Sequence, residues 1–425
     1  MRLFKYSLLA AAALLGSFAA VNVQAGELAV GTVISKDNFD QVKDLTFENH
    51  RVGEMIPEKM EWAIREKGLT IKVRHSAPIE MDPKYMKATQ DGKKDVKFDP
   101  ATRQVSGWKA GMLFDPQDID MKDPNAGDKL IWNLRADTYG AVMDLRDICW
   151  VFINGETGVE RVQRWFAQRY YMEGRLDGGP ISRGDGDIMQ KTVLVAYSPQ
   201  DIKGIGIYTV RYNDASGQRP DDTWAYLRAA RRDRRLTGSA WMDPIGGTDQ
   251  LYDDWDIWDA VPTKYKSTKL VGRQWILAVA HSPELSVDKT KIGTPDEFPV
   301  QGLHEAPYYF PAKNIEWEPR EVWVIEGVPP DEHPYGMKKI WMEVGWPRPY
   351  YGEAYDHQGK FWKMFIFQNR PDIGEDGYKA IMPVSGHIID FKKNHATNWS
   401  SNMKSNPKSV DENTVSLKKL YEIAQ

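Results

Sequence analysis

Apolar and polar residues alternate in short runs along most of the chain, which is the pattern of strands in a sheet. The clearest runs are KTVLVAYSP, KGIGIYTVRYND and DTWAYLRA, within residues 191–229, and Pro, Asn, Asp and Gly residues separate them. Other predicted strands lie at 69–75, 149–153, 159–171, 273–280, 320–326, 338–344, 360–368 and 379–387. Short strands joined by hairpin-length turns predict a mainly β (α+β) fold with one large antiparallel sheet.

Helices are predicted near both ends of the chain. Residues 36–44 and 57–67 carry helix start signals, a capping serine for the first and a proline for the second. The polar stretch 82–100 is predicted to form turns. The tail at 409–424 becomes helical, and its expected buried face consists of Val415, Leu420 and Ile423.

The first 25 residues have the features of a secretory signal peptide. Residues 1–5 are basic, residues 8–20 are apolar, and Val23-Gln24-Ala25 matches a cleavage site with small residues. The apolar run is too short to span a membrane comfortably, so cleavage is favoured over a membrane anchor. The signal is of bacterial type, which predicts a mature chain that begins at Gly26 and resides in the periplasm.

The remaining residues, 26–425, are predicted to form one large β domain, with a helical and loop segment at about 26–125 and a helical tail at about 409–425. A hydrophobic content of 41% suits a folded core. The net charge of −4 gives no electrostatic reason to expect nucleic acid or an anionic bilayer as a partner. Cys149 is the only cysteine, so the exported chain would fold without an intramolecular disulfide.

The sequence contains no complete catalytic or metal-binding motif. Neither G-x-S-x-G nor H-E-x-x-H is present. The aspartates of Asp253-Asp254-x-Asp256-x-x-Asp259 lack the spacing of a calcium loop, and solvated turns are the favoured interpretation. No catalytic residue, metal ion or cofactor is therefore predicted. A hydrolase would need two opposed carboxylates, and its candidates are Glu326, Glu343, Glu353 and Asp356.

Tryptophan is unusually frequent, with 16 residues in the chain. A single buried tryptophan most often belongs to the ordinary core, but this excess favours an apolar cavity lined by aromatic rings. Trp224 and Tyr226 share one face of a predicted strand, because side chains alternate with period two. The candidate cavity residues are Trp224, Tyr226, Trp241, Trp255, Trp258, Trp275, Trp323 and Trp341.

A basic turn follows the strand of Trp224 and Tyr226. Such a turn suits an anionic headgroup or the acidic surface of a partner protein. Its arginines are Arg231, Arg232, Arg234 and Arg235. The alternative is a solvated hairpin whose arginines form ion pairs with nearby acids, namely Asp249, Asp253, Asp254 or Asp256.

The order of several motifs resembles a bacterial exported family known as domain of unknown function 1329. These motifs are LAVGTVISKDNFDQVKDL, KYMKATQD, DPNAGDKLIWNL, EPREVWVIEG, HPYGMKKIWMEV and YDHQGKFWKMF. Residues 191–258 are also similar to LolA-like outer-membrane lipoprotein-sorting proteins, because Gly204-Ile205-Gly206-Ile207 precedes Trp224-Ala225-Tyr226. Leu227-Arg228 stands where a proline usually follows the tyrosine in those proteins.

This resemblance implies a large curved antiparallel sheet or half-barrel of the LolA/LolB type, wrapped around a few helices, with an apolar concave face. It also implies a non-catalytic periplasmic carrier of lipid-like or acylated ligands, which serves an envelope export or outer-membrane sorting system. The implied partners are a hydrophobic small molecule or lipid, an inner-membrane exporter and an outer-membrane protein. Two alternatives are a periplasmic hydrolase and an outer-membrane assembly factor.

Overall fold

The computed structural model describes residues 26–227, 232–236, 240–285 and 287–424. The predicted signal peptide, residues 1–25, lies outside them, so its cleavage stays a prediction. The described strands are β1 Val33–Ile34, β2 Thr46–Phe47, β3 His50–Arg51, β4 Ile71–Val73, β5 Lys97–Asp99, β6 Gln104–Ser106, β7 Val142–Asn154, β8 Gly158–Tyr171, β9 Ile188–Ser198, β10 Gly206–Tyr212, β11 Asp222–Leu227, β12 Arg232–Leu236, β13 Ser267–Ala278, β14 Glu316–Val328, β15 Met337–Glu343, β16 Pro349–Tyr355, β17 Phe361–Ile373, β18 Lys379–Asp390 and β19 His395–Ser405.

Fifteen of these strands form one sheet, in the order β1-β4-β14-β15-β16-β17-β18-β19-β7-β8-β9-β10-β11-β12, and β13 also pairs with β14. The named pairings are antiparallel, apart from the short parallel pairing of β4 with β14. The mainly β fold with a large sheet is therefore confirmed, although the sheet is mixed rather than purely antiparallel. Two further pairs, β2 with β3 and β5 with β6, form small separate sheets.

Helices are short and few in the described part of the chain, and none of them is both long and apolar enough to cross a bilayer. The α-helices are α1 Phe39–Val42, α2 Glu58–Lys67, α3 Pro83–Gly92, α4 Ala126–Ala136 and α5 Leu417–Ala424. The predicted helix at 57–67 is confirmed, and it ends at Gly68 in the left-handed conformation. The prediction of turns at 82–100 is wrong over α3, where Asp82 caps the helix by accepting a hydrogen bond from the Lys84 N–H.

Both faces of the large sheet are covered. On β7, Leu145, Ile148 and Trp150 belong to one hydrophobic cluster, and Cys149 and Val151 belong to a second. We call the first face the inner face, and it contacts α4 and a segment at residues 240–266, named here the inner segment. The outer face is covered by residues 28–73 and 276–317 on its central strands and by the C-terminal tail on β8–β11. Because both faces are buried, the sheet is the middle layer of three.

The C-terminal tail packs through α5 onto β9, β10 and β11. Val415 and Leu420 are fully buried, as predicted, but Ile423 is 39% exposed, so its place in the buried face is wrong. Leu420 lies so close to Gly206 that a Cβ at Gly206 would come within 2.3 Å of its Cδ1 atom. The glycine thus permits the close approach of α5 to the sheet.

We expect Leu420→Ala to lower the free energy of unfolding by about 2–5 kcal/mol, because it removes a fully buried side chain between helix and sheet. Urea unfolding followed by circular dichroism measures this change. The control is Lys418→Ala on the exposed side of the same helix, which we expect to change stability by less than about 0.5 kcal/mol. Equal effects of the two substitutions would contradict the packing of α5 described here.

Candidate functional site

A cavity of about 190 Å³ lies between the inner face of the sheet and the inner segment. Strands β7, β8, β9, β10, β11 and β19 form its floor. The inner segment forms its roof with Trp241, Ile245, Tyr252, Trp255 and Val261. The sheet and the segment are thus both needed to enclose the space.

The floor of the cavity contains one continuous apolar row. Register pairs join one residue from each of five neighbouring strands, and these residues are Met403, Leu145, Ala167, Leu194 and Ile207. All five line the cavity. Because side chains on one face recur at every second residue, the row is set by strand register rather than by any local motif.

The next rows along the strands become polar and then charged. Two residues further along, the paired lining residues are Arg169, Thr192, Thr209 and Thr223. Two residues beyond these, Gln190 pairs with Arg211 across β9 and β10. The cavity is therefore amphipathic, with an apolar end and a charged end on the same floor.

Arg211 is the centre of the charged end. It forms a forked ion pair with Asp259, at 2.5 and 3.0 Å, and a second ion pair with Asp221 at 3.0 Å. Burial would lower the pKa of Arg211, but the two carboxylates outweigh burial and raise its pKa well above the usual value. Arg135 reaches the same Asp259 at 3.4 Å. One carboxylate is thus shared between two guanidinium groups.

Three cations of the cavity lining are less well neutralised. Burial, together with the charge of Arg211, lowers the pKa of Arg135 to about 10. Burial likewise lowers the pKa of Lys264, whose ammonium lies 5.3 Å from the centre of the Trp241 ring. Arg169 lies 5.2 Å from the centre of the Trp255 ring and donates hydrogen bonds to the hydroxyls of Thr192 and Tyr171.

The inner segment is held to the sheet by buried charges. Lys338 of β15 is fully buried and lies 2.9 Å from Asp253 and 2.8 Å from Asp254. Tyr265 and Tyr335 donate hydrogen bonds to the same two carboxylates, at 2.6 and 2.7 Å. Burial would raise the pKa of Asp253, but Lys338, His333 and Tyr265 together outweigh burial and lower the pKa to about 2. The interpretation of these aspartates as solvated turns is therefore wrong, because each finds a partner below the surface.

Other aspartates of the segment reach other strands. Asp249 accepts hydrogen bonds from His395 and Thr397 of β19, at 2.6 and 2.9 Å. Asp256 accepts a hydrogen bond from Tyr139. Within the described residues, no group of three His, Cys, Asp or Glu side chains is arranged to hold a metal ion.

Glycines allow the inner segment to lie directly on the sheet. A Cβ at Gly327 of β14 would come within 1.9 Å of the Trp258 ring, and a Cβ at Gly352 of β16 within 2.5 Å of Ile257. Any larger residue at either position would push the segment away from the strands. The roof of the cavity is therefore positioned by close contact as well as by charge.

Of the eight predicted aromatic residues, Trp241 and Trp255 line the cavity. Trp224 and Tyr226 do not, because the alternation of β11 turns them to the outer face, against the C-terminal tail. The remaining four pack in the hydrophobic clusters and do not line the cavity, and they are Trp258, Trp275, Trp323 and Trp341. The tryptophans are thus divided between the two faces of the sheet rather than gathered around one space.

The basic turn is described only in part. Arg231 lies outside the described residues, and Arg232 is described only by its place in β12. Arg234 is exposed, and Arg235 forms an ion pair with Asp222 rather than with an aspartate of the inner segment. The four arginines therefore stay a prediction as a docking surface, and the two with described side chains, Arg234 and Arg235, do not line the cavity.

Sequence reasoning missed most of the lining. Trp150 and Trp399 line the cavity from β7 and β19, and Arg135, Arg169 and Arg211 form its charged end. In β8, β9 and β10, the alternation of apolar and polar residues indicated which side chains share a face of the sheet. Only the register between the strands brings them together.

The fold is that of a mainly β protein built on one open sheet, with an amphipathic cavity under a segment held by buried ion pairs. The chain belongs to the family described as protein of unknown function (DUF1329), whose family model matches residues 33–422. The family predicted from the motifs is thereby confirmed. No curated protein matches the chain.

Several solved structures are similar to the chain at low sequence identity. A DUF1329 family protein from Desulfovibrio piger is 15% identical with a TM-score of 0.47, over 72% of this chain and 100% of that one. A candidate outer membrane lipoprotein-sorting protein domain from Vibrio parahaemolyticus is 16% identical with a TM-score of 0.45, over 70% and 100% of the two chains. A LolA superfamily protein from Nitrosomonas europaea is 12% identical with a TM-score of 0.38, over 72% and 99%.

We expect Lys338→Met to lower the free energy of unfolding by about 3–5 kcal/mol, because it leaves two buried carboxylates without their cation. The matched control is Lys339→Met on the other face of β15, where a partly exposed ion pair with Glu326 contributes about 1 kcal/mol or less. Chemical denaturation of both variants gives the comparison. Similar losses would show that the buried cluster does not hold the segment.

The pair of His395 and Asp249 predicts a pH dependence. The hydrogen bond to Asp249 raises the pKa of His395 above its ordinary 6.5, so the stability it contributes is full below pH 6.5 and is lost as the pH rises through the raised pKa. His395→Asn should therefore lower the melting temperature most at pH 5.5–6.5 and progressively less towards pH 9.

The control for this pH dependence is His304→Asn. Burial lowers the pKa of His304, so its charged form is disfavoured in the fold and the slope of its effect with pH should have the opposite sign. Thermal melts of both variants across the same pH range provide the test. A pH-independent effect of His395→Asn would remove the ion pair from the account of how the inner segment is held.

Proposed function

We propose that this protein is a non-catalytic binding or carrier protein for lipid-like or acylated apolar ligands in the bacterial periplasm. The observation that carries the proposal is the apolar row of Met403, Leu145, Ala167, Leu194 and Ile207 beneath the inner segment. A row that crosses five strands offers an extended apolar surface, which suits a chain-like or ring-like ligand better than a compact polar one.

The size of the cavity supports an apolar ligand group. Its volume of about 190 Å³ exceeds that of an engineered apolar protein cavity of about 150 Å³ that binds benzene. Each methylene that leaves water contributes about 0.8 kcal/mol, so a buried segment of about six methylenes would contribute about 5 kcal/mol before the costs of association. Burial of the chain thus supplies favourable free energy of binding without any chemical step.

The carboxylates of the lining favour binding over hydrolysis. Asp221 and Asp259 both form ion pairs with Arg211, and Asp214 accepts hydrogen bonds from the backbone N–H groups of Ser216 and Arg219. A general acid needs a carboxyl with a raised pKa, whereas the ion pair with Arg211 helps to lower the pKa of Asp259 despite its burial. The carboxylates of this cavity therefore have structural roles, as partners in ion pairs and hydrogen bonds.

The proposal includes a role in an envelope export or outer-membrane sorting system. A carrier in the periplasm would receive its ligand from an inner-membrane exporter and deliver it to an outer-membrane protein. The exposed Arg234, on the edge strand β12, is a candidate contact for an acidic partner or an anionic headgroup. Loss of partner capture on its replacement by glutamine would support this part of the proposal.

Filling the cavity tests the proposed function. We expect Leu194→Trp to weaken binding of decanol at least about tenfold, because the new ring occupies the centre of the apolar row. Displacement of a fluorescent apolar probe gives the affinities. Val271→Trp, at a position that is 45% exposed and outside the cavity, is the matched control and should bind like the wild type. Absence of any binding by the wild type, or equal binding by both variants, would overturn the proposal.

A further inference from the structure

The cavity lining carries an excess of positive charge. Five of its side chains are cationic and three are anionic, and they are Arg135, Arg169, Arg211, Arg219 and Lys264 against Asp214, Asp221 and Asp259. Arg219 is neutralised outside the cavity by Asp187, and Arg211 is neutralised by Asp221 and Asp259. The excess positive charge therefore lies on the remaining three cations, Arg135, Arg169 and Lys264.

These three cations have few carboxylate partners. Arg135 reaches Asp259 at 3.4 Å, but that carboxylate already accepts the fork of Arg211. Neither Arg169 nor Lys264 has a carboxylate within 4 Å among the residues that the structure describes, and their recorded contacts are with hydroxyls and aromatic rings. All three cations are partly buried, and a partly desolvated cation without a paired anion is costly, so an anion that enters this end of the cavity would be stabilised.

The position of the excess positive charge indicates how a ligand would be oriented in the cavity. Arg169 belongs to the polar row that directly follows the apolar row on β8, two residues beyond Ala167. Thr192 and Thr209 continue this polar row with hydroxyl groups on β9 and β10. A second cavity of about 200 Å³ adjoins the charged end and shares Arg135, Tyr212, Asp214 and Val261 with the first. A ligand with its anionic head at the charged end would thus place its apolar chain along the floor of the cavity.

We propose that the cavity selects single-chain amphiphiles with an anionic head, with the chain on the apolar row and the head at Arg169, Arg135 and Lys264. This inference rests on the proposed function and adds the charge of the ligand to it. The planar guanidinium of Arg169 presents paired N–H donors that match a carboxylate or a phosphate. The ring of Trp255 lies 5.2 Å from the guanidinium of Arg169 and forms part of the lining beside the head.

The experiment compares heads on one alkyl chain. Decanoate, decyl phosphate, decanol and decyltrimethylammonium are titrated into the full mature chain by isothermal calorimetry. We expect at least one of the two anions to bind about tenfold or more tightly than decanol, and the cation to bind more weakly than decanol. The anion that binds better distinguishes a fatty-acid carboxylate from a phosphate head as the natural source.

Variants locate the head. Arg169→Gln should reduce the preference for the anion over decanol to about threefold or less. Lys264→Gln should reduce the preference independently, which keeps the test valid if the Arg169 variant does not fold. Arg161→Gln on the same strand is the control, because Arg161 is exposed and lies outside the cavity lining.

The outcomes separate the two proposals. Equal binding of decanol and both anions by the wild type would overturn the anionic head and leave the apolar carrier in place. An anion preference that survives both Arg169→Gln and Lys264→Gln would also overturn it, because the head would then lie elsewhere. If none of the four probes binds, the proposed function itself fails.

Discussion

Buried ion pairs between the inner segment and the sheet are the interaction on which the rest of this structure depends. The segment carries Asp249, Asp253, Asp254 and Asp259 to partners on β19, β15 and β10. A complete buried ion pair adds little net stability, but removal of one partner strongly destabilises the protein. Such pairs therefore contribute mainly to structural specificity. They determine where the segment lies more than how strongly it is held.

The placement of the segment creates the site. The glycines at 327 and 352 let the segment lie close to the strands, and its aspartates pair with Lys338, His395 and Arg211 at defined positions on the sheet. The last of these contacts, between Asp259 and Arg211, is also the charged end of the cavity. The same carboxylate thus anchors the roof and determines how much positive charge remains available beneath it. The placement of the segment and the charge of the cavity are coupled through that one residue.

The sequence predicted the class of fold well and the site poorly, for a physical reason. Period-two alternation identified most central strands and the large sheet, because a strand with buried side chains must alternate or be apolar throughout. It did not identify β16 or β19, and β19 is rich in small and polar residues such as those of Asn398 to Asn402. The helix α4 was also missed, because it is buried along most of its length and so lacks a clear polar face.

The tryptophan hypothesis shows the limit of reasoning from residue type. Trp224 and Tyr226 do share a face, as predicted, but sequence gives no sign of which face encloses a cavity and which packs against the tail. Arg169 and Arg211 are unremarkable as single residues in a strand. Their role depends on pairings between strands separated by up to about 260 residues, which alternation within one strand does not contain.

The row of five residues across five strands has a consequence for how this protein tolerates changes of length. Deletion of a single residue from the middle of β9 would exchange the two faces of everything beyond it, so that Val193 or Val195 would take the place of Leu194 and the threonine hydroxyls would turn towards the tail. Insertions and deletions should therefore be confined to the turns between these strands. A relative with an altered strand length would be expected to carry a compensating bulge, or else a different cavity lining.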